Sequence, residues 1–475
     1  MRFTEERGRK AVKEKQAVTK RERKEKNKID MLNGSLLDKI LLFALPLAMS
    51  SILQQLFNSV DVAVVGRFAS SQEQAAVGCN GPVINLLLNL FVGISVGTNV
   101  VIAGYIGQGE KEKIRSTVHT SMVVALVSGV LLLFLGLLVT KPILLLINTP
   151  EDVIDHAVLY LRIYFMGMPF IMIYNFGSAI LRSIGDTRRP LYCLVLSGVV
   201  NAGLNMFLVI VFHMGVAGVG IATVISNMIS AGMVWHFLTH EEDPIRLQVR
   251  KLAVSGSELK KLLKIGVPAG LQSTVFSFSN VCVQSVLNGF GSAAVAGSAV
   301  GLNFEYFTYF VVSAFNQATV TFTSQNFGAN QLDRCKKVFR LCITVSMLTA
   351  GAMSLTFVLG RSFFISLFTK DPQVAHYAAI RMVIILSMNV IVSTYEIGGA
   401  ALRGIGYSLT PALITVFGTC VVRLLWVFTI CQKIKDFRVL MIVYPITWII
   451  TGAGMLITYF TIRRRVFRTH SQERH

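Results

Sequence analysis

The sequence predicts an all-α integral membrane protein in which twelve transmembrane helices form two six-helix halves. Three observations lead to this fold class: a low content of charged residues, twelve long apolar runs, and a segment of the first half that recurs in the second. The two halves are expected to be related by a pseudo-two-fold axis along the membrane normal, as in transporters built from parallel repeats.

The composition excludes most soluble protein classes. Charged residues make up 15% of the 475 residues and hydrophobic residues 53%, whereas soluble domains carry about 25% charged residues. The net charge of +20 could suggest nucleic acid, but the basic residues lie mostly in a tail and in short loops. We therefore predict no nucleic-acid partner. The seven cysteines are scattered without a CxxC pair, so neither a disulfide framework nor a metal site is expected.

Twelve runs are long and apolar enough to cross a bilayer, because a spanning helix needs about 20 mostly apolar residues. The runs are continuous and lack the alternation of barrel strands, which favours helices. The first six are 40–64, 81–104, 119–140, 156–181, 190–212 and 216–238, and the second six are 262–287, 303–325, 340–361, 377–402, 411–432 and 440–462.

The basic residues indicate how these spans are oriented. Lys and Arg concentrate in the N-terminal tail and in 111–115, 185–190, 240–264, 333–340 and 463–468. These segments fall on one side of the membrane if the spans alternate in direction. Because cytoplasmic loops are enriched in Lys and Arg, both termini are predicted to be cytoplasmic.

The same pattern divides the chain into regions. Residues 1–34 are predicted to be a basic, disordered cytoplasmic tail that contacts lipid headgroups. The N-terminal half is expected at 35–239, a charged cytoplasmic linker at 240–260, and the C-terminal half at 261–465. A second cytoplasmic tail is expected at 466–475.

A segment at the end of the fourth span recurs 221 residues later. The sequence "GSAILRSIGDTRRP" (177–190) aligns without gaps to "GGAALRGIGYSLTP" (398–411), with seven of fourteen positions identical. Pro46 and Pro268 also correspond, in the first span of each half. Since each half has an even number of spans, both enter the membrane from the same side. A cleft between two such halves suits alternating access.

The first span carries an acid, Asp61, within "LFNSVDVAVVG" (56–66). A helix rise of 1.5 Å per residue places it about 9 Å from Arg67, in the outer half of the membrane. An acid reaching to the outer interface is one interpretation. We favour an acid that lines a cavity and carries function, because its side chain is short and 62–65 remain apolar beyond it.

These features together resemble the multidrug and toxic compound extrusion (MATE) family. The resemblance rests on the paired six-helix halves, the early prolines, "LFNSVDVAVVG" and the two helix ends "ALRGIG" (401–406) and "ILRSIG" (180–185). It extends from about residue 35 to 465 and is closest to the prokaryotic DinF-like branch. The family implies cation-coupled export of organic, often cationic, compounds.

The resemblance also implies a coupling site in the first half. The acid of that branch falls on Asp61, two polar positions of the fourth span fall on Tyr160 and Asn175, and one of the fifth span falls on Asn201. The next position of the fifth span is often a second acid in the branch, but here it is Asn205. Coupling by H⁺ or by Na⁺ stays open, with Na⁺ ligands expected at Asp61, Asn201 and Asn205.

Asn201 and Asn205 are four residues apart, so both amides lie on one helix face. They could bind the cation or protonated Asp61, or act only as packing contacts between helices. In the second half, Glu396 and Tyr395 are the repeat partners of Asn175 and Tyr174. They form a possible second polar site.

Two alternatives remain for the charged residues of the second half. Glu396 could titrate or attract cations, or it could be paired with Arg381 or Arg423. Arg423 lies deep in the eleventh span, so we expect it to need a partner.

We therefore predict a secondary active multidrug efflux transporter of the bacterial plasma (inner) membrane. It would be a monomer that exports small organic compounds in antiport with H⁺ or Na⁺, with membrane lipids around it. No enzymatic activity and no cofactor are expected. The alternatives are a flippase for a lipid-linked saccharide of the same superfamily and a non-transporting membrane receptor or scaffold.

Overall fold

The computed structural model describes residues 28–146 and 149–472. The predicted disorder of 1–27, and the last three residues of the predicted C-terminal tail, lie outside the described residues. Almost all of the described chain is helical, as expected for backbone that must satisfy its own hydrogen bonds in lipid.

Twelve spans run through the described residues. The first half contains Leu37–Phe68, Gly81–Gln108, Lys111–Leu146, Glu151–Met166 with Met168–Ser183, Arg188–Met206 with Phe207–Val211, and Gly215–Thr239. The second half contains Gly256–Asn288, Ser292–Gly328, Leu332–Leu359, Pro372–Met388 with Val392–Gly404, Leu409–Thr415 with Val416–Val421 and Val422–Lys433, and Phe437–Gln472. Two short helices, Ser71–Cys79 and Arg361–Ser366, connect neighbouring spans.

Length and apolarity alone identify fewer spans than this. Within the described residues nine helices are long and apolar enough to cross a membrane, or ten when the bent fourth span is counted as one. The seventh span, Gly256–Asn288, and the eighth, Ser292–Gly328, are missing from that set although they have 33 and 37 residues. Their many polar side chains lower the mean hydropathy, and both spans pack against the second span.

Helix breaks recur at equivalent places in the two halves. The fourth span bends by 48° at Gly167, which is followed by Pro169. The tenth span changes to a 3-10 turn at Asn389–Ile391, 222 residues further on. The fifth and eleventh spans each contain a π-helical segment, Phe207–Val211 and Val416–Val421. The repeat seen in the sequence is therefore a repeat of structure.

The second span makes the closest contact between the halves. A Cβ atom added to Gly97 would overlap the carbonyl oxygen of Leu262 in the seventh span, and one on Gly107 would overlap the carbonyl of Gln325 in the eighth. Only glycine permits this approach of two backbones. Hydrogen bonds follow the same line, including Asn99 Nδ2 to Thr321 Oγ1 at 2.9 Å.

Residues 28–34 differ from the prediction, because they are packed against the helices and not part of a disordered tail. Lys28 forms an ion pair of 2.7 Å with Glu241 of the first half. The guanidinium of Arg334, in the second half, donates to the carbonyls of Met31 and Gly34 at 3.1 and 3.0 Å. Met31 is only 1% exposed. Burial of this apolar side chain and the bonds to both halves hold the segment in place.

The segment 28–34 marks the terminus side of the protein, defined as the end of the bundle that carries both described chain ends. Glu241 lies there, just beyond the sixth span, and contacts Lys28 and Arg189. Burial alone would raise the pKa of the Glu241 carboxyl, but these two cations outweigh it and hold the pKa below its usual value. The halves are thus tied together on the terminus side.

The last span also extends further than predicted. The helix Phe437–Gln472 includes most of the region that the sequence assigns to a C-terminal tail at 466–475. Stacking of Phe327 on Phe467, with ring centroids 6.4 Å apart, holds this end against the eighth span. The contact is tertiary, so helical periodicity alone does not reveal it.

The close contact at Gly97 predicts a specific sensitivity. We expect Gly97→Ala to force the second and seventh spans apart and to lower the free energy of unfolding by about 1–3 kcal/mol, the usual cost of overpacking. The measurement is the thermal unfolding temperature of the purified protein in detergent. Gly232→Ala is the matched control, because a Cβ at Gly232 meets nothing within 4 Å. Equal unfolding temperatures for the two variants would contradict the proposed contact.

Candidate functional site

Asp61 lies in the first span and is only 9% exposed. The amide nitrogen of Asn205, in the fifth span, donates a hydrogen bond to Oδ1 of Asp61. A buried carboxylate with one amide donor is poorly compensated, since isolated ionised groups are costly to hold away from water. The structure therefore brings together two of the predicted residues around one uncompensated charge.

A chain of side-chain contacts continues from this pair. The Asn205 amide nitrogen lies 3.2 Å from Oδ1 of Asn201, one helical turn away. The amide nitrogen of Asn201 in turn lies 3.4 Å from Thr223 Oγ1 and 3.5 Å from Ser226 Oγ in the sixth span. The two hydroxyl residues were missed in the sequence. The available signal was their spacing of three residues on one helix face.

Tyr160 is 6% exposed in the fourth span, and its ring centroid lies 6.1 Å from that of Tyr164. The Asp61 carboxylate acts electrostatically on the hydroxyl groups of both tyrosines. Tyr160 is thus near the site as predicted, and Tyr164 is a further neighbour that the sequence reasoning did not name. Their spacing of one helical turn was the signal for it.

Asn175 is a predicted site residue whose side chain forms its hydrogen bond away from Asp61. Its amide nitrogen donates to the carbonyl oxygen of Ile171 at 2.8 Å, within its own helix. Among the described residues, no hydrogen bond connects its side chain to Asp61 or to the fifth span. This bond occupies one of the two amide N–H donors and directs the side chain along its own helix.

The oxygen atoms of the site fit a hard cation. Asn205 Oδ1 is buried and has no hydrogen-bond partner among the described residues, although buried amide oxygens are almost always bonded. It belongs to the same side chain that bonds Asp61. Carboxylate and amide oxygens are the ligands that hard cations prefer. No cluster of three or more His, Cys, Asp or Glu side chains suited to a metal occurs in the described parts of the chain.

The second predicted polar site lies in the eighth and tenth spans. The amide nitrogen of Asn316 donates to Glu396 Oε2 at 2.5 Å and to the Glu396 carbonyl at 3.1 Å. The carboxylate interacts electrostatically with Arg403, whose Nη2 donates to Gln272 Oε1 at 2.9 Å. Tyr395, the neighbouring residue, is 4% exposed and packs in the apolar core of the second half.

Two arginines of the second half have partners other than Glu396, the partner considered for them from the sequence. Arg381 forms an ion pair of 2.6 Å with Glu305, and Arg423 donates to Asn280 at 2.8 Å. Neither is paired with Glu396. Arg403, which interacts electrostatically with Glu396, is itself only 9% exposed.

Twelve spans in two repeated halves, with a buried acid and an unbonded amide oxygen beside it, define the architecture of a membrane transporter. The family model described as MatE matches residues 46–207 and 268–429, once in each half. The chain therefore belongs to the multidrug and toxic compound extrusion (MATE) family.

Individual relatives agree with this assignment. The chain is 30% identical over 383 residues to the "Probable multidrug resistance protein YoeA" of Bacillus subtilis, covering 79% of this chain and 83% of that protein. It is 28% identical to the "Probable multidrug resistance protein NorM" of Thermotoga maritima, covering 81% and 84%. A solved structure described as "Crystal structure of MATE in the bent conformation" superimposes with a TM-score of 0.86 at 21% identity, covering 93% of this chain and 99% of that one. This last likeness shows the shared fold.

The contacts predict different effects of substitution at Asn205 and at Asn175. We expect Asn205→Ala to leave the Asp61 carboxylate without its donor and to lower the free energy of unfolding by about 1–3 kcal/mol, the cost of an unsatisfied buried polar group. Asn175→Ala should cost less, because it removes only a bond within its own helix. Thermal unfolding of the two variants in detergent compares them. A larger loss for Asn175→Ala would contradict the arrangement of the site.

Proposed function

We propose that this protein is a secondary active multidrug efflux transporter that exports small organic, often cationic, compounds in antiport with H⁺ or Na⁺. The observation that carries the proposal is the buried Asp61 carboxylate, which is bound by Asn205 and has no basic partner among the described residues. Membership of the MATE family and the multidrug resistance names of its relatives support it.

The setting of the protein belongs to the same proposal. We place it as a monomer in the bacterial plasma membrane, with the terminus side in the cytoplasm because the basic loops lie there. Membrane lipids surround it, and its partners are small organic substrates. It acts without an enzymatic step and without a cofactor beyond the coupling ion.

The proposed cycle depends on competition for the Asp61 charge. When Asp61 is ionised, it favours binding of a cationic compound in the cavity. A proton or Na⁺ arriving from the outer side neutralises the carboxylate, and the electrostatic attraction for the compound is lost. The unbonded Asn205 Oδ1 supplies either an acceptor for protonated Asp61 or a ligand for Na⁺. The compound leaves outward, and the cation is released after the halves turn inward.

The contacts between the halves suit the outward stage of this cycle. Spans two, seven and eight touch at their backbones from Gly93 to Gly107, towards the terminus side. A compound could not pass there without separation of these helices. With the terminus side in the cytoplasm, the proposal has the cation reach Asp61 from the outer side in this state. The ion pair of Lys28 with Glu241 would have to adjust or break when the halves open inward.

The test is export of a cationic dye from proteoliposomes under separately imposed H⁺ and Na⁺ gradients. We expect Asp61→Asn to fold normally and to reduce export to the level of empty liposomes, because the amide cannot exchange its charge. Asp152→Asn, a change at an exposed first-turn position, is the matched control and should retain export. Wild-type rates for Asp61→Asn would refute the proposed role of this carboxylate.

The separately imposed gradients identify the coupling ion. Export driven by a proton gradient alone indicates protonation of Asp61, and export driven by sodium alone indicates a Na⁺ site at Asp61, Asn201 and Asn205. Export under neither gradient, with well-folded protein, would contradict antiport. Complementation of a strain that lacks a lipid-linked saccharide flippase, without dye export, would favour that alternative.

A further inference from the structure

Arg423 in the eleventh span is the most deeply buried charged side chain of the second half, with 1% of its surface exposed. Its Nη1 donates to Asn280 Oδ1 at 2.8 Å, and its Nε lies 3.4 Å from Thr447 Oγ1. Aromatic rings cover the guanidinium, with Tyr444 at 4.5 Å and Phe276 at 5.1 Å from its central carbon. All of these partners are neutral.

No carboxylate neutralises this charge in the part of the chain that the structure describes. Two acids within the spans of the same half already have partners: Glu305 pairs with Arg381, and Glu396 is bound by Asn316. Cation–π contacts with two rings offset part of the cost of burying a guanidinium. They leave a full positive charge in a low-dielectric region, where an isolated ion is strongly unfavourable.

One edge of the guanidinium is also unbonded. Arg423 Nη2 is buried and has no hydrogen-bond partner among the described residues. The rings pack against the guanidinium, while Nη1 and Nε already have oxygen neighbours. The remaining N–H donors of Nη2 lie in the guanidinium plane, which is the direction from which arginine binds carboxylates and other anions.

The position of Arg423 mirrors the Asp61 site. At the 221-residue offset of the repeat, Asn201 corresponds to Val422, the neighbour of Arg423, and Ser226 corresponds to Thr447. In each half the contacts come from the first, fifth and sixth spans: Asp61, Asn201 and Ser226 in one, and Asn280, Arg423 and Thr447 in the other. The same scaffold therefore holds an acid in the first half and a base in the second.

We propose that Arg423 and Asn280 form a binding site for a small monovalent anionic group in the second half. The group is either a free anion such as chloride or the carboxylate of a zwitterionic substrate. Nη2 of Arg423 would donate to it, and the charge of the guanidinium would be neutralised by it. Binding of a free anion is independent of the proposed export function, whereas the carboxylate source rests on that function.

The first test uses purified full-length protein in detergent at constant ionic strength. Sodium gluconate, whose bulk should exclude it from a buried edge, is replaced stepwise by chloride or by acetate, and the thermal unfolding temperature is measured. We expect a saturable rise with each small anion and competition between the two, because a ligand that binds only the folded state stabilises it. Identical unfolding temperatures in all three salts would overturn the proposal.

Substitutions at Arg423 test whether the dependence of the unfolding temperature on anions arises at this residue. Arg423→Met should abolish the dependence on anions, and Arg423→Lys should retain it with weaker binding. Arg361→Met is the matched control and should titrate like the wild type. Arg361 is exposed, and among the described residues its side chain bonds the carbonyl of Val358 in its own chain segment. If Arg423→Met does not fold, the wild-type competition and the Arg423→Lys titration still decide. Full anion dependence in a folded Arg423→Met would refute the site.

A matched pair of dyes distinguishes the two sources of the anion. Rhodamine 110 carries a free carboxyl group, and rhodamine 123 is its methyl ester. If the carboxylate of the substrate binds Arg423, Arg423→Met slows export of rhodamine 110 but not of the ester in proteoliposomes. If a free anion binds, both dyes respond to the variant alike, while the chloride titration is still lost. Asp61→Asn should stop both dyes, so failure of the export function is seen separately.

Discussion

The close approach of the second span to the seventh and eighth is the contact on which the rest of the structure depends. Glycines such as Gly97 and Gly107 let backbones touch where any side chain would separate them. This contact keeps the polar faces of spans seven and eight inside the protein, where they would otherwise meet lipid. It also holds the backbones of spans two, seven and eight together towards the terminus side.

Each half also holds a buried charged side chain without a charged partner among the described residues, Asp61 in the first half and Arg423 in the second. The first half uses amides, with Asn205 bonded to Asp61 and one amide oxygen left over. The second uses aromatic rings and an amide around Arg423, with one guanidinium edge left over. A structural role alone would favour complete pairing, because an unsatisfied buried group costs stability. Incomplete pairing at equivalent places suggests room for an exchangeable ion.

The sequence predicted the fold class and the span order, because apolar length, charge asymmetry and the repeat can be read from it directly. The contact of Asp61 with the fifth span was implied by the resemblance to the MATE family. It did not predict Tyr164, Thr223 or Ser226, since single hydroxyl groups on apolar helices look the same whether they pack or line a site. Asn175 was placed by position, but its side chain bonds its own helix. The order of residues 28–34 depends on Glu241 and Arg334, more than 200 residues away, which no local pattern reveals.

The repeat therefore constrains the backbone more strongly than the chemistry. Pro46 and Pro268, the breaks near 167 and 389, and the π-helical segments are all kept in both halves. The charges are not, since the first span of the second half has no acid at the place of Asp61 and the eleventh has an arginine near the place of Asn201. Helix packing requires matching shapes but not matching charges. On the proposed mechanism, this freedom allows the first half to bind the coupling cation at Asp61 while the second half binds an anionic group at Arg423.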